Sequence, residues 1–79
     1  NVVDYLRDPL WPILVETVHA MVMYPHHKAY VRRVLLKERP NVTYRDLATA
    51  LGIPVGEALV ILHDLDLEKT ETSSREAGK

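Results

Sequence analysis

Four histidines are the residues of this chain best suited to bind a metal ion or to move protons. His26 and His27 are adjacent, and His19 and His63 are the further candidates for a shared site. Adjacent residues on a helix point about 100° apart, so His26 and His27 cannot easily share one ion. The spacing also matches none of the standard zinc patterns. We therefore expect no metal site, and two surface imidazoles at a helix start.

Catalytic groups of other kinds are poorly placed along the chain. Most serine and threonine hydroxyls lie in the polar C-terminal segment, where nothing would hold a base or an oxyanion site rigidly. The acidic residues are dispersed, and there is no glycine-rich phosphate loop. These observations predict a non-enzymatic protein with no catalytic residues and no cofactor.

Length and composition favour one small domain. A chain of 79 residues forms a single core, and 47% of its residues are hydrophobic. The absence of cysteine fits a reducing cytoplasm. The most apolar stretch, from Ile13 to Tyr24, is shorter than the roughly 20 residues that span a bilayer. We therefore expect a cytoplasmic protein in which this stretch is a buried helix, with no membrane contact.

The net charge of −1 is unevenly distributed. Residues 24–46 carry a net charge of +4, whereas residues 1–23 carry −2 and residues 47–79 carry −3. A basic region between acidic flanks determines the choice of partner more than the total charge does.

Periodicity, prolines and Gly52 predict four helices. The first begins either at Asp8-Pro9 or at Pro12, and it ends at Tyr24-Pro25, because the residue before a proline is disfavoured in a helix. The other helices are expected at His26 to Arg39, Tyr44 to Leu51 and Pro54 to Asp66, and residues 68–79 are expected to form a polar, flexible tail.

The segment from Tyr44 to His63 contains a tight turn between two of these helices. Gly52 tolerates a positive φ angle, and Ala48 is a small residue where two crossing helices would touch. Apolar residues occupy the positions that a core between the helices needs, namely Leu47, Leu51, Ile53, Ala58 and Ile61. This segment resembles the helix-turn-helix of DNA-binding proteins, most closely that of winged-helix regulators and of the promoter-reading region of sigma factors.

The resemblance implies an all-α, four-helix domain over residues 1–67, winged-helix-like with little or no wing at residues 67–73. In the family, the second helix of the unit lies in the major groove and its outward side chains read base edges. In this chain those positions hold no Arg, Lys, Asn or Gln, the side chains best suited to that task. They are Val55, Gly56, Glu57, Leu59, Val60 and His63.

The first functional hypothesis is an accessory or regulatory factor in DNA transactions, such as transcription or replication. It would contact the DNA backbone, without reading sequence, through six basic residues. These are Lys28, Arg32, Arg33, Lys37, Arg39 and Arg45, and the alternative interpretation is a solvated charged helix face.

The second hypothesis is a protein-interaction or dimerisation module. Its fourth helix would dock a partner subunit or a second copy of the chain, since exposed apolar surface usually marks a binding site. The candidate interface is Val55, Glu57, Leu59, Val60 and His63. The alternative is that the apolar residues of this strip pack against the first helix.

Overall fold

The computed structural model describes the backbone of residues 2–77 and the side chains of residues 3–69. Every regular element within that range is helical, which confirms the predicted all-α class. The elements are α1 (Val2–Leu6), α2 (Trp11–His19), α3 (Tyr24–Tyr30), a π-helical segment (Val31–Leu35), α4 (Leu36–Glu38), α5 (Tyr44–Leu51) and α6 (Val55–Ala77).

Helix α2 begins at Trp11, close to the second of the two predicted starts. Pro12 therefore lies in the first turn, where its missing N–H group costs no hydrogen bond. The Asp8 carboxylate stabilises the turn that precedes the helix, because its Oδ1 atom accepts a hydrogen bond from the Leu10 N–H at 2.8 Å. The helix ends at His19, earlier than predicted, and a short turn separates it from α3.

Helix α3, the π-helical segment and α4 follow one another without a break, and we call them together the middle helix (residues 24–38). Tyr24, Val31 and Leu35 lie on its inner side and are buried. Arg32 and Arg33 fall within the π-helical segment, and both are exposed. The middle helix thus contributes apolar side chains to the core and presents its exposed basic side chains to solvent.

Helix α5 has the predicted bounds, and hydrogen bonds close both of its ends. At its start the Thr43 hydroxyl accepts the Asp46 N–H at 3.2 Å. At its end Gly52 adopts a left-handed conformation with φ of 67°, and the Ile53 N–H donates to the Ala48 carbonyl at 3.1 Å. The chain then bends by 118° into α6. A residue that tolerates positive φ is required here, because this bend sets the direction of α6.

Helix α6 is much longer than predicted. It continues past Asp66 to Ala77, so residues 67–73 are helical and form no wing. No glycine or proline interrupts residues 57–77, and the glutamates and Lys69 are good helix formers, which explains the continuation. Most of the predicted tail at 68–79 is therefore the end of α6, and its last two residues lie outside the described part of the chain.

The first half of α6 is the centre of the core. Each residue from Glu57 to Ile61 is at most 4% exposed, and α2, α3 and α5 surround this part of the helix. Gly56 lies so close to α2 that a β-carbon there would be 3.1 Å from Leu14 Cδ1. The apolar residues that follow Gly56 thus pack inside the domain, as one of the two interpretations of this strip predicted.

Among the described residues, no single helix is both long enough and apolar enough to cross a membrane. Only the pair Tyr44–Leu51 and Val55–Lys69 reaches that length and composition, and the bend of 118° lies between its two members.

Candidate functional site

Among the carboxylates in the described part of α6, those of Glu57, Asp64 and Glu68 contact α2 or the middle helix. Their spacing of seven and four residues places them along one side of a helix. Each carboxylate contacts basic or hydroxyl side chains across the helix interface. We call these three contacts the carboxylate seam.

The first contact of the carboxylate seam is buried. Glu57 is 1% exposed, and the His27 imidazole donates from Nδ1 to its Oε2 atom at 2.6 Å. The other oxygen, Oε1, has no hydrogen-bond partner among the described residues. A buried carboxylate with one unsatisfied oxygen depends strongly on its single partner, because desolvation is costly. The contact therefore ties α6 to the start of the middle helix.

The second contact joins three elements at Asp64. His19 Nε2 donates to Asp64 Oδ2 at 2.6 Å, and the Tyr24 hydroxyl donates to the same oxygen. Burial by itself favours the protonated acid, but the hydrogen bonds from Tyr24 and His19, with the charges of His19 and Lys28, outweigh it and lower the pKa of Asp64. Burial and the Asp64 carboxylate in turn raise the pKa of the Tyr24 phenol.

The third contact lies nearer to the surface. Arg32 Nη2 donates to Glu68 Oε1 at 2.7 Å, and the Lys28 ammonium forms an ion pair with Oε2. The Lys28 ammonium, and then the Arg32 guanidinium, hold the pKa of Glu68 below its ordinary value. Glu68 is therefore ionised at neutral pH, and it neutralises part of the charge of the middle helix.

An open cleft of about 460 Å³ lies between Asp64 and Glu68. Its polar side chains already pair with one another: His19 and Tyr24 with Asp64, and Lys28 with Glu68. The other lining residues are Pro25 and Leu67. The polar side chains that line this cleft are thus engaged mainly with one another.

The six predicted backbone contacts fall into three groups. Lys28 and Arg32 are paired with Glu68 as described above. The guanidinium of Arg45 lies 5.4 Å from the centre of the Tyr44 ring, and the Tyr44 hydroxyl is 3.2 Å from that of Tyr5. The remaining three are exposed and form no ion pair with a described side chain. These three, Arg33, Lys37 and Arg39, are called the outer basic surface.

Members of the outer basic surface are close in sequence and lie at one end of the middle helix. Arg33 and Lys37 are four residues apart, about one turn along the helix. Arg39 follows directly after the helix, where its N–H donates to the Leu35 carbonyl at 2.8 Å. The surface therefore presents positive charge that the chain itself does not neutralise within its described residues.

The predicted partner interface on the fourth helix is wrong for its central residues. Glu57, Leu59 and Val60 are at most 4% exposed, because α2, the middle helix and α5 enclose them. His63 is half-buried, with its ring edge-to-face against Trp11 at 5.2 Å. Of the five residues, Val55 alone is classed as exposed, and one such residue does not make an interface.

The carboxylate seam itself was not predicted from the sequence. Spacing could have indicated it, since Glu57, Asp64 and Glu68 lie on one side of a helix. On the middle helix, Lys28 and Arg32 lie four residues apart, and His27 directly precedes Lys28. The sequence does not show that the two sets face each other, because this depends on the angle at which the helices cross.

No group of three or more His, Asp or Glu side chains that could hold a metal ion is found within the described part of the chain. His26 is exposed, and its ring lies 6.3 Å from that of His27. The Nδ1 atom of His27 is used by Glu57.

Comparison of the chain with protein-family models, with curated protein sequences and with solved structures finds no match. The resemblance of residues 44–63 to helix-turn-helix proteins thus stays a prediction. What the chain does has to be argued from its own geometry.

Removing His27 should destabilise the fold through the carboxylate left behind. We expect His27→Ala to lower the free energy of unfolding by about 2–3 kcal/mol, because the Glu57 carboxylate would remain buried without a partner. His26→Ala is the matched control, and since His26 is exposed we expect it to change stability by less than about 0.5 kcal/mol. Urea unfolding followed by circular dichroism measures the free energy of unfolding of both variants. If the two variants lose the same amount, the His27–Glu57 contact does not stabilise the fold.

Asp64 should make stability depend on pH in the acid range. Because its pKa is lower in the folded chain, the carboxylate stabilises the fold above its ordinary pKa of 3.8. That stabilisation is lost as the pH falls through the lowered value. We expect Asp64→Asn to cost roughly 1 kcal/mol at pH 7 and to lose most of this difference near pH 3. Urea midpoints of the two proteins at both pH values test this, and a constant difference would contradict it.

Proposed function

We propose that this chain is a helix-turn-helix accessory protein that binds the backbone of duplex DNA without reading its sequence. Contact would be made by the outer basic surface, Arg33, Lys37 and Arg39. The observation that carries the proposal is the contrast between these exposed cations, which form no ion pair with a described side chain, and the buried first half of α6. A regulatory or accessory role in DNA transactions follows from binding of this kind.

The arrangement of α5 and α6 supports the helix-turn-helix part of the proposal. The bend of 118° at Gly52 lies within the range of roughly 90–120° typical of that motif. Ala48 and Ala58 are both buried, as the small residues of such a unit should be. The second helix of the unit differs from that of the family, because three of its expected outward residues are buried in the domain, namely Glu57, Leu59 and Val60. It serves here as a scaffold, and the basic contacts come from the middle helix.

Electrostatics determine the kind of binding to expect. Basic side chains that displace counterions from phosphates give affinity that falls with salt and carries little sequence information. With three contacts, the logarithm of the binding constant should fall with the logarithm of salt concentration at a slope of about −2.7. Binding should therefore be weak and strongly salt-dependent.

The test is a titration of fluorescein-labelled duplex DNA by anisotropy between about 50 mM and 200 mM salt. We expect Arg33→Gln combined with Lys37→Gln to flatten the slope from about −2.7 to about −0.9, since two phosphate contacts are lost. The loss should be the same for duplexes of unrelated sequence.

Arg7→Gln is the control for loss of a positive charge outside the outer basic surface. Arg7 lies in the turn after α1, outside the outer basic surface, so its loss should leave the slope unchanged. Equal flattening by Arg7→Gln would mean that overall charge is being measured. If the wild-type chain does not bind at about 50 mM salt, the proposed function is wrong.

A second candidate function is self-association through α2. Leu10, Ile13 and Val22 lie at or near this helix and are 66%, 59% and 91% exposed. Exposed apolar side chains can pair with those of a second copy of the chain, and interfaces between identical chains are the more apolar class. This relocates the predicted dimer interface from the buried helix α6 to the outside of α2.

Sedimentation equilibrium tests the second candidate. We expect the wild-type chain to dimerise with rising concentration, and Ile13→Asp to make it monomeric with an unchanged circular dichroism spectrum. Glu16→Gln, an exposed change on the same helix, should leave the dimer intact. If the wild-type chain stays monomeric at about 100 μM, the dissociation constant of any dimer is about 1 mM or higher, and this candidate is wrong.

A further inference from the structure

Two of the six basic residues, Lys28 and Arg32, form ion pairs with a carboxylate of the chain itself. Lys28 and Arg32 lie four residues apart on the middle helix and converge on the Glu68 carboxylate. Each oxygen of the carboxylate meets one cation, Oε1 at 2.7 Å from Arg32 Nη2 and Oε2 in contact with Lys28 Nζ. The two cations therefore form a preformed cradle for a single oxyanion.

A backbone phosphate has the same requirements as this carboxylate. It also carries one negative charge and two terminal oxygens, and lysine and arginine bind both groups through charge-assisted hydrogen bonds. Arg32 is adjacent to Arg33 in the chain, so the cradle lies next to the outer basic surface on the same helix. A duplex that contacts Arg33 and Lys37 would bring further phosphates towards it.

The contact with Glu68 can open without damage to the core. The side chains of Glu68 and Arg32 are 42% and 48% exposed and that of Lys28 is 22% exposed, and Leu65 is the last buried residue of α6 within the described side chains. Exposed ion pairs contribute little to stability, because water and salt screen them. A phosphate can therefore replace the Glu68 carboxylate at low cost.

We propose that Glu68 covers a second phosphate-binding site, formed by Lys28 and Arg32, and so limits the affinity of the chain for DNA. This inference rests on the proposed function, because it extends the same basic surface. Opening of the contact adds two cations to the three of the outer basic surface. The site accepts the phosphodiester backbone of duplex DNA, which supplies a row of singly charged phosphates.

The experiment compares Glu68→Gln with Asp66→Asn in the anisotropy titration. Both variants remove one negative charge from α6, but Asp66 lines a different cleft, with Leu36 and Pro40. We expect Glu68→Gln to tighten binding about fivefold at about 50 mM salt and to steepen the slope by up to about 1.8, as two phosphate contacts are gained. Asp66→Asn should tighten binding less than twofold and leave the slope unchanged.

A further substitution assigns the gain to its residues. When Lys28→Gln and Arg32→Gln are added to Glu68→Gln, the extra affinity and the extra slope should both disappear. Glu68→Ala is a second way to open the site, and it should steepen the slope as Glu68→Gln does. Circular dichroism at the same salt verifies that each variant remains helical.

The outcomes separate this inference from the proposed function. If the wild-type chain binds but Glu68→Gln and Asp66→Asn behave alike, Glu68 covers no site and the inference is wrong while the proposed function stands. If the extra slope survives loss of Lys28 and Arg32, the second site lies elsewhere and the inference is also wrong. If the wild-type chain does not bind duplex DNA at about 50 mM salt, the proposed function has failed and the inference fails with it.

Discussion

Enclosure of the first half of α6 is the constraint on which the other features of this domain depend. Residues 57–61 are buried around the whole helix, so α2, the middle helix and α5 must all pack against it. The bend at Gly52 makes this possible, because it turns α6 back across α5. The enclosed half of α6 is therefore not available to enter a DNA groove.

Enclosure also explains why α6 carries its carboxylates where it does. A buried charge is tolerated only with a partner, and Glu57 obtains one from His27. Asp64 and Glu68 are progressively more exposed, at 15% and 42%, and each meets its partners nearer to solvent. The carboxylate seam thus changes along the helix from a structural contact at Glu57 to an exposed, exchangeable one at Glu68.

This gradient divides the basic residues of the middle helix into two sets. Lys28 and Arg32 are paired with Glu68, whereas the outer basic surface forms no ion pair with a described side chain. The division limits how strongly the domain attracts a polyanion, since only the second set acts without rearrangement. The outer basic surface and the exposed apolar residues at α2 have no residue in common. The two proposed contacts can therefore form in the same molecule.

Local signals in the sequence determined the helical class and the bounds of α5. The Thr43 cap, the left-handed Gly52 and the hydrophobic periodicity each act within a few residues, so they can be recognised without a fold. Only the tertiary structure decided that Leu59 and Val60 are core residues and that α6 extends to Ala77. It also decided that Glu68 forms ion pairs with Lys28 and Arg32. Burial and charge pairing join residues about 30–40 positions apart, and they depend on how helices cross, which periodicity along one helix does not specify.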